Sequence, residues 1–134
     1  MIRITDGPLA ELDDAELLPQ GEIGELIVRG EVVTTEYVTR TEANALSKIR
    51  DGDRFWHRMG DVGYLDASDR FWYCGRKAHR VELPSGKLYS IPVEAIVNCH
   101  PAVYRSALVA VGDGSRRRAV IVAVLANQLF KLAM

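Results

Sequence analysis

Two side chains in this sequence combine a reactive group with a close-approach setting: Asp61, held between Gly60 and Gly63, and Arg76, directly after Gly75. Small neighbours let a backbone come near a ligand, and a carboxylate held there can accept two hydrogen bonds from a vicinal diol such as a ribose. A guanidinium at the end of a strand is suited to a phosphate. Taken alone, Gly-Asp-x-Gly serves equally as a turn steadied by its carboxylate, and a structural salt bridge is the lesser alternative for Arg76. Cys74 and Cys99 are too few for a disulfide framework and lack metal-ligand spacing, so a reduced, cytoplasmic setting is expected. His57 and His100 have no partner at ligand spacing and predict no metal site, and His79 reads as an ordinary exposed histidine rather than a catalytic one.

The elements that must hold these residues begin with the stretch Trp56 to Arg76, WHRMGDVGYLDASDRFWYCGR. Two aromatic-rich runs separated by the turn Leu65 to Arg70 predict an antiparallel hairpin. Upstream, Met1 to Thr5 alternates as a short strand, Asp6 to Pro8 turns the chain, Glu11 to Glu16 reads as a loop, and Glu25 to Arg29 alternates as a half-buried strand. Thr41 caps an expected helix whose Ala43, Leu46 and Ile49 face a core and which ends at Asp51 to Asp53. Downstream, Arg80 to Leu83 and Leu88 to Ile91 flank the turn Pro84 to Lys87 as a smaller hairpin. Pro92 suits the first turn of a helix over Val93 to His100, and Val103 to Val111 and Ala119 to Leu125 read as antiparallel strands joined by GDGSRRR.

The expected fold class is therefore α+β: a β-rich, distorted barrel-like segment followed by the start of a small α+β module. The joint is expected near Lys77 and Ala78, giving domains over 1–77 and 78–134. One helix on the second module covers one face of its sheet and leaves the other bare.

Composition removes several function classes. The 134 residues carry 17 basic and 18 acidic side chains, a net charge of −1, so no overall field recruits nucleic acid or an anionic membrane. The basic run Arg116 to Arg118 follows a Gly-Asp-Gly turn and reads as solvated. The longest apolar run, Ala119 to Ala126, is far short of the ~20 residues of a transmembrane helix, and Arg3 and Asp6 interrupt any N-terminal signal segment.

Four motifs stand in order: GELIVRG at Gly24 to Gly30, RMGDVGYLD at Arg58 to Asp66, FWYCGR at Phe71 to Arg76, and PVEAIVNCHPAV at Pro92 to Val103. Together they resemble the adenylate-forming (AMP-dependent synthetase/ligase) superfamily. In wording, GRKAHRVEL and PVEAI are most similar to long-chain acyl-CoA synthetases and the β-lactone synthetases of olefin biosynthesis. The resemblance implies a fragment of an enzyme that makes an acyl-adenylate from ATP, with Mg, and a carboxylic acid. The parent would then pass the acyl group to an acceptor such as CoA or close a β-lactone.

Residue by residue, the resemblance matches Asp61 to the ribose-binding aspartate, Tyr73 to a side chain near the adenine, and Arg76 to the arginine approaching ribose and phosphate. Tyr73 reads equally as a buried strand aromatic. Ala78 falls on the family's hinge, usually Asp or Lys, and Gly86 on the loop lining the acceptor's tunnel, here one residue longer than usual. The family's phosphate loop, aromatic-Thr-Glu motif and C-terminal lysine have no counterpart in the sequence. The resemblance thus implies that the chain has no catalytic residue of its own and is inactive alone. Two other readings are a non-catalytic remnant that binds a nucleotide or partner, and a chain that folds by self-association or by pairing with the missing domain.

Overall fold

A computed structural model describes residues 1–126. The chain divides into two compact units, with the boundary between Tyr73 and Cys74. The architecture is mixed α+β with open sheets, in agreement with the fold class expected.

The first unit is built on one long strand. Strand β1 (Gly24–Val28), helix α1 (Glu42–Ser47), β2 (Lys48–Asp51), β3 (Arg54–Leu65) and β4 (Phe71–Arg76) follow in order, the last three residues of β4 falling past the boundary. β3 lies between β1 and β2, antiparallel to both, and β4 also pairs with it. Its reach is physical: 12 residues at about 3.3 Å each are long enough to serve several partners in succession. The core gathers Ile2, Ile27 and Ile49, with Leu9, Leu12, Ala15 and Trp56 packed against them.

Two local expectations are corrected here and one is refined. Met1 to Thr5 forms no strand: Ile2 makes isolated bridges to Leu17 and Glu25, and its complete burial comes from that docking. The Glu11 to Glu16 loop contains a single 3-10 turn, Leu12–Asp14. The helix after Thr41 stops at Ser47, because Lys48–Asp51 pairs with Arg54–His57 as a hairpin and places Ile49 opposite Trp56. Its β-branched side chain is completely buried on a strand, not on a helix face.

The second unit holds β5 (Val81–Leu83), β6 (Gly86–Leu88), α2 (Ser90–Asn98), β7 (Val103–Val111) and β8 (Arg118–Leu125). β5 and β6 form the small hairpin, shorter than expected, and β7 and β8 pair antiparallel with Leu108 opposite Ile121. α2 starts three residues before Val93, so Pro92 occupies its third position, where the missing N–H is still one the helix cannot use. The helix lies on β7 through Glu94, whose Oε1 accepts the Leu108 amide at 2.9 Å, and Asn98, 2.9 Å from the Ser106 hydroxyl. Ser106 and Leu108 are buried, while Val109, Val111, Val122 and Val124 are exposed. Among the described residues no helix is long and apolar enough to cross a membrane.

Candidate functional site

Asp61 sits on a β-bulge. In the β1–β3 ladder Glu25 pairs with Val62 and Ile27 with Arg58, so Met59, Gly60 and Asp61 stand opposite the single residue Leu26. Gly60 takes φ +68°, a left-handed conformation that glycine adopts without steric cost, and this turns the strand immediately before the carboxylate. Bulges re-aim side chains out of the regular pleat. Asp61 is half-buried as a result.

A buried ion pair flanks the bulge. Arg58 Nη2 donates to Glu25 Oε2 at 2.7 Å and Nε donates to the same oxygen at 3.3 Å. The guanidinium also donates to the carbonyl oxygens of Gly7 at 2.7 Å and Thr5 at 2.5 Å. The two side chains are 2% and 1% exposed.

β4 closes against β3 at Gly63. A Cβ on Gly63 would lie 2.2 Å from the Trp72 carbonyl oxygen, so only a glycine permits this approach. Tyr73 is 43% exposed, with its ring 6.5 Å from that of Phe71, and so is not the buried strand aromatic of the alternative reading. Trp72 stacks on Tyr64 with ring centres 6.4 Å apart. At the hairpin tip Asp66 accepts from Trp72 Nε1 and Arg70 Nε, both at 2.8 Å, and from the Ser68 and Arg70 amides. The indole bond foremost, helped by Arg70 and the amides, holds its carboxyl down to about 2.

The remaining residues singled out in the sequence belong to the second unit. Arg76 is exposed at the end of β4, and Ala78 is exposed in the middle of the 3-10 turn Lys77–His79. Arg80 steadies that turn, donating from Nη1 to the Lys77 carbonyl and from Nε to Glu82, each at 2.8 Å. Gly86 is exposed and opens β6. Asp61 and Tyr73 are thus brought onto neighbouring strands of the first unit.

Among the described residues no three His, Cys, Asp or Glu side chains gather so as to hold a metal ion. His57 is half-buried, with Nδ1 3.1 Å from the Ser47 carbonyl, and burial followed by the charge of Lys48 lowers its pKa. Cys74 is buried and its thiol is pushed up by that burial, while Cys99 is exposed.

Three features escaped the sequence reading: the Glu25–Arg58 pair, the Asp66 tip and the Arg80 brace. The first had a signal. Glu25 is two residues from Ile27 on an alternating strand and so faces the core, where a carboxylate demands a cationic partner.

No protein-family model matches the chain. It is 44% identical over 126 residues to the olefin β-lactone synthetase of Xanthomonas campestris pv. campestris, covering 90% of this chain and 23% of that protein. It is 37% identical over 110 residues to a 4-chlorobenzoate–CoA ligase of an Arthrobacter species, covering 81% of this chain and 20% of the ligase. The o-succinylbenzoate–CoA synthetase of Bacillus subtilis, solved with its acyl-adenylate intermediate, superposes with a TM-score of 0.74 at 25% identity, over 99% of this chain and 26% of the synthetase. The chain therefore spans about a quarter or less of the length of these relatives.

Proposed function

We propose that this chain, which is homologous to a segment of the adenylate-forming enzymes, is the ribose-facing part of an ATP-dependent carboxylic-acid-activating enzyme. The whole enzyme would join a fatty acid to AMP with release of pyrophosphate. It would then transfer the acyl group to CoA or let a 3-hydroxyl of the same substrate displace AMP to close a β-lactone. The similarity to a β-lactone synthetase supports the second outcome and the similarity to a CoA ligase the first.

In this reading Asp61 accepts the two ribose hydroxyls, Tyr73 lies by the adenine and Arg76 meets ribose and phosphate. Ala78 is the pivot of the hinge and Gly86 belongs to the acceptor loop. The observation that carries the reading is Asp61 itself, set half-exposed on a glycine-turned bulge within the segment matched to the relatives. The roles assigned to Asp61, Tyr73 and Arg76 are to bind and orient the nucleotide. Catalysis of adenylation needs charge stabilisation at the α-phosphate, and none of the assigned residues except Arg76 reaches for phosphate. The 134 residues alone are accordingly expected to be inactive as a ligase.

Calorimetry with AMP and with a hydrolysis-resistant acyl-adenylate mimic tests the proposal. Two charge-assisted hydrogen bonds at about 1.5–3 kcal/mol each imply that Asp61→Ala weakens binding by about 100-fold or more. A chain that ignores both ligands at millimolar concentration would instead be a partner-binding or structural remnant.

A further inference from the structure

The buried pair at the edge of the bulge has a role beyond holding β1 to β3. We infer that Glu25 and Arg58 are positioning residues for Asp61: their ion pair ties together the two ends of the Met59–Asp61 bulge and thereby aims the carboxylate at the ribose. The inference rests on the reading of Asp61 as the ribose ligand.

The geometry is specific. Arg58 is the last residue of β3 in register with β1 before the bulge, opposite Ile27, and register resumes only at Val62, opposite Glu25. The residues bounding the bulge across the ladder are therefore Arg58 on β3 and Glu25 on β1, and their side chains meet on the buried face. With no regular register between those points, the direction of Asp61 depends on where the two ends are held. Arg58 is unusually constrained, its guanidinium donating to Glu25, Thr5 and Gly7 together. Any shift of the Arg58 backbone would uncouple a charge that is 98% buried, an outcome the interior resists far more strongly than a surface ion pair would. A carboxylate that must meet two hydroxyls at once needs that rigidity, because a misplacement of an ångström forfeits most of the advantage of orientation.

The test uses the full 134-residue chain in four forms: wild type, Glu25→Gln, Arg58→Lys and the paired Glu25→Met/Arg58→Met. The paired variant removes both charges together, so neither is left buried alone, and only the Thr5 and Gly7 carbonyls lose the guanidinium's bonds. The first readout, without nucleotide, is amide hydrogen exchange at Gly60 and Asp61 by NMR. The second is the ratio of calorimetric Kd values for 2′,3′-dideoxy-AMP and AMP, which isolates the ribose hydroxyls.

Wild type is expected to prefer AMP by about 100-fold, as two charge-assisted bonds imply. In the paired variant the Gly60 and Asp61 amides exchange faster and the preference falls about tenfold or more, while affinity for the dideoxy nucleotide stays put. Arg58→Lys, which keeps the charge opposite Glu25, recovers part of the preference, and Glu25→Gln supplies the same comparison should the paired variant not fold. A merely structural role would weaken both nucleotides alike. A folded variant that keeps the wild-type ratio, or unchanged exchange at Gly60 and Asp61, overturns the inference. A wild-type chain with no preference for AMP overturns the ribose reading instead. The exchange data then decide by themselves: faster exchange supports the pair's hold on the bulge, and unchanged exchange removes it.

Discussion

A methyl group is enough to part β3 from β4. At Gly63 an added Cβ would stand 2.2 Å from the Trp72 carbonyl oxygen and 2.6 Å from the Phe71 ring. The first of these is backbone, which cannot rotate away, so Gly63→Ala must push the strand that carries Tyr73. Overpacking of this kind costs about 1–3 kcal/mol, which thermal denaturation would register as a lowered Tm. Because Asp61 and Tyr73 lie on the two strands being separated, AMP affinity should fall with stability. Gly63→Ala with wild-type Tm would mean that β4 has slack at this point. The Asp61→Ala variant differs in kind: it adds no atoms between the strands and removes the acceptor, so its effect should be far larger in AMP binding than in Tm.

At the scale of the element, the β3–β4 hairpin is closed by one carboxylate. Asp66 collects the Trp72 indole, the Arg70 guanidinium and two amides, and its pKa is lowered from 3.8 to about 2. A carboxylate with a depressed folded-state pKa stabilises the fold fully above its unfolded value, and that contribution is lost as pH falls through the folded one. The hairpin tip should therefore loosen between about pH 4 and pH 2, with Trp72 fluorescence following. Asp66→Asn should flatten that step while leaving the signal at neutral pH changed only modestly. A wild-type transition centred near the ordinary carboxylate value would show that the indole and Arg70 do not hold Asp66 in solution. The hairpin itself was legible from two aromatic-rich runs broken by an Asp- and Ser-rich turn. β1 was legible from its alternation, and β7 and β8 from β-rich runs on either side of GDGSRRR. Lys48–Asp51 was not, since four residues joined to a helix show no period of their own and become a strand only by pairing with β3. The same holds for Ile2, whose burial depends on Glu25 and Leu17. Of the candidate site, Asp61 was singled out by its glycines together with the ordered motifs, whereas the Glu25–Arg58 pair needed the register, because its members are 33 residues apart.

At the scale of the whole molecule, each unit has buried residues of its own: Ile2, Ile27 and Ile49 form the core of the first, and Val81, Ser106 and Leu108 are buried in the second. Units of this size bury only about 60% of their unfolded surface and keep a small margin of stability. Ile49 is the test of that margin, being completely buried on β2 with Trp56 opposite. Ile49→Ala removes buried methyl groups at a cost of about 2–5 kcal/mol, a large part of what such a unit possesses. Its effect should be confined to one unit. Amides of β1, β2 and β3 are expected to lose protection from hydrogen exchange, and both tryptophans, Trp56 and Trp72, to report unfolding at lower denaturant. Amides of β7 and β8 should keep theirs, because Ser106, Leu108 and α2 belong to the second unit. Nucleotide binding would fail with the first unit, since Asp61 and its bulge are part of that sheet. Equal loss of protection in β7 and β8 would instead make the chain one cooperative body, in which damage to the core under Asp61 also dismantles the α2–β7–β8 unit.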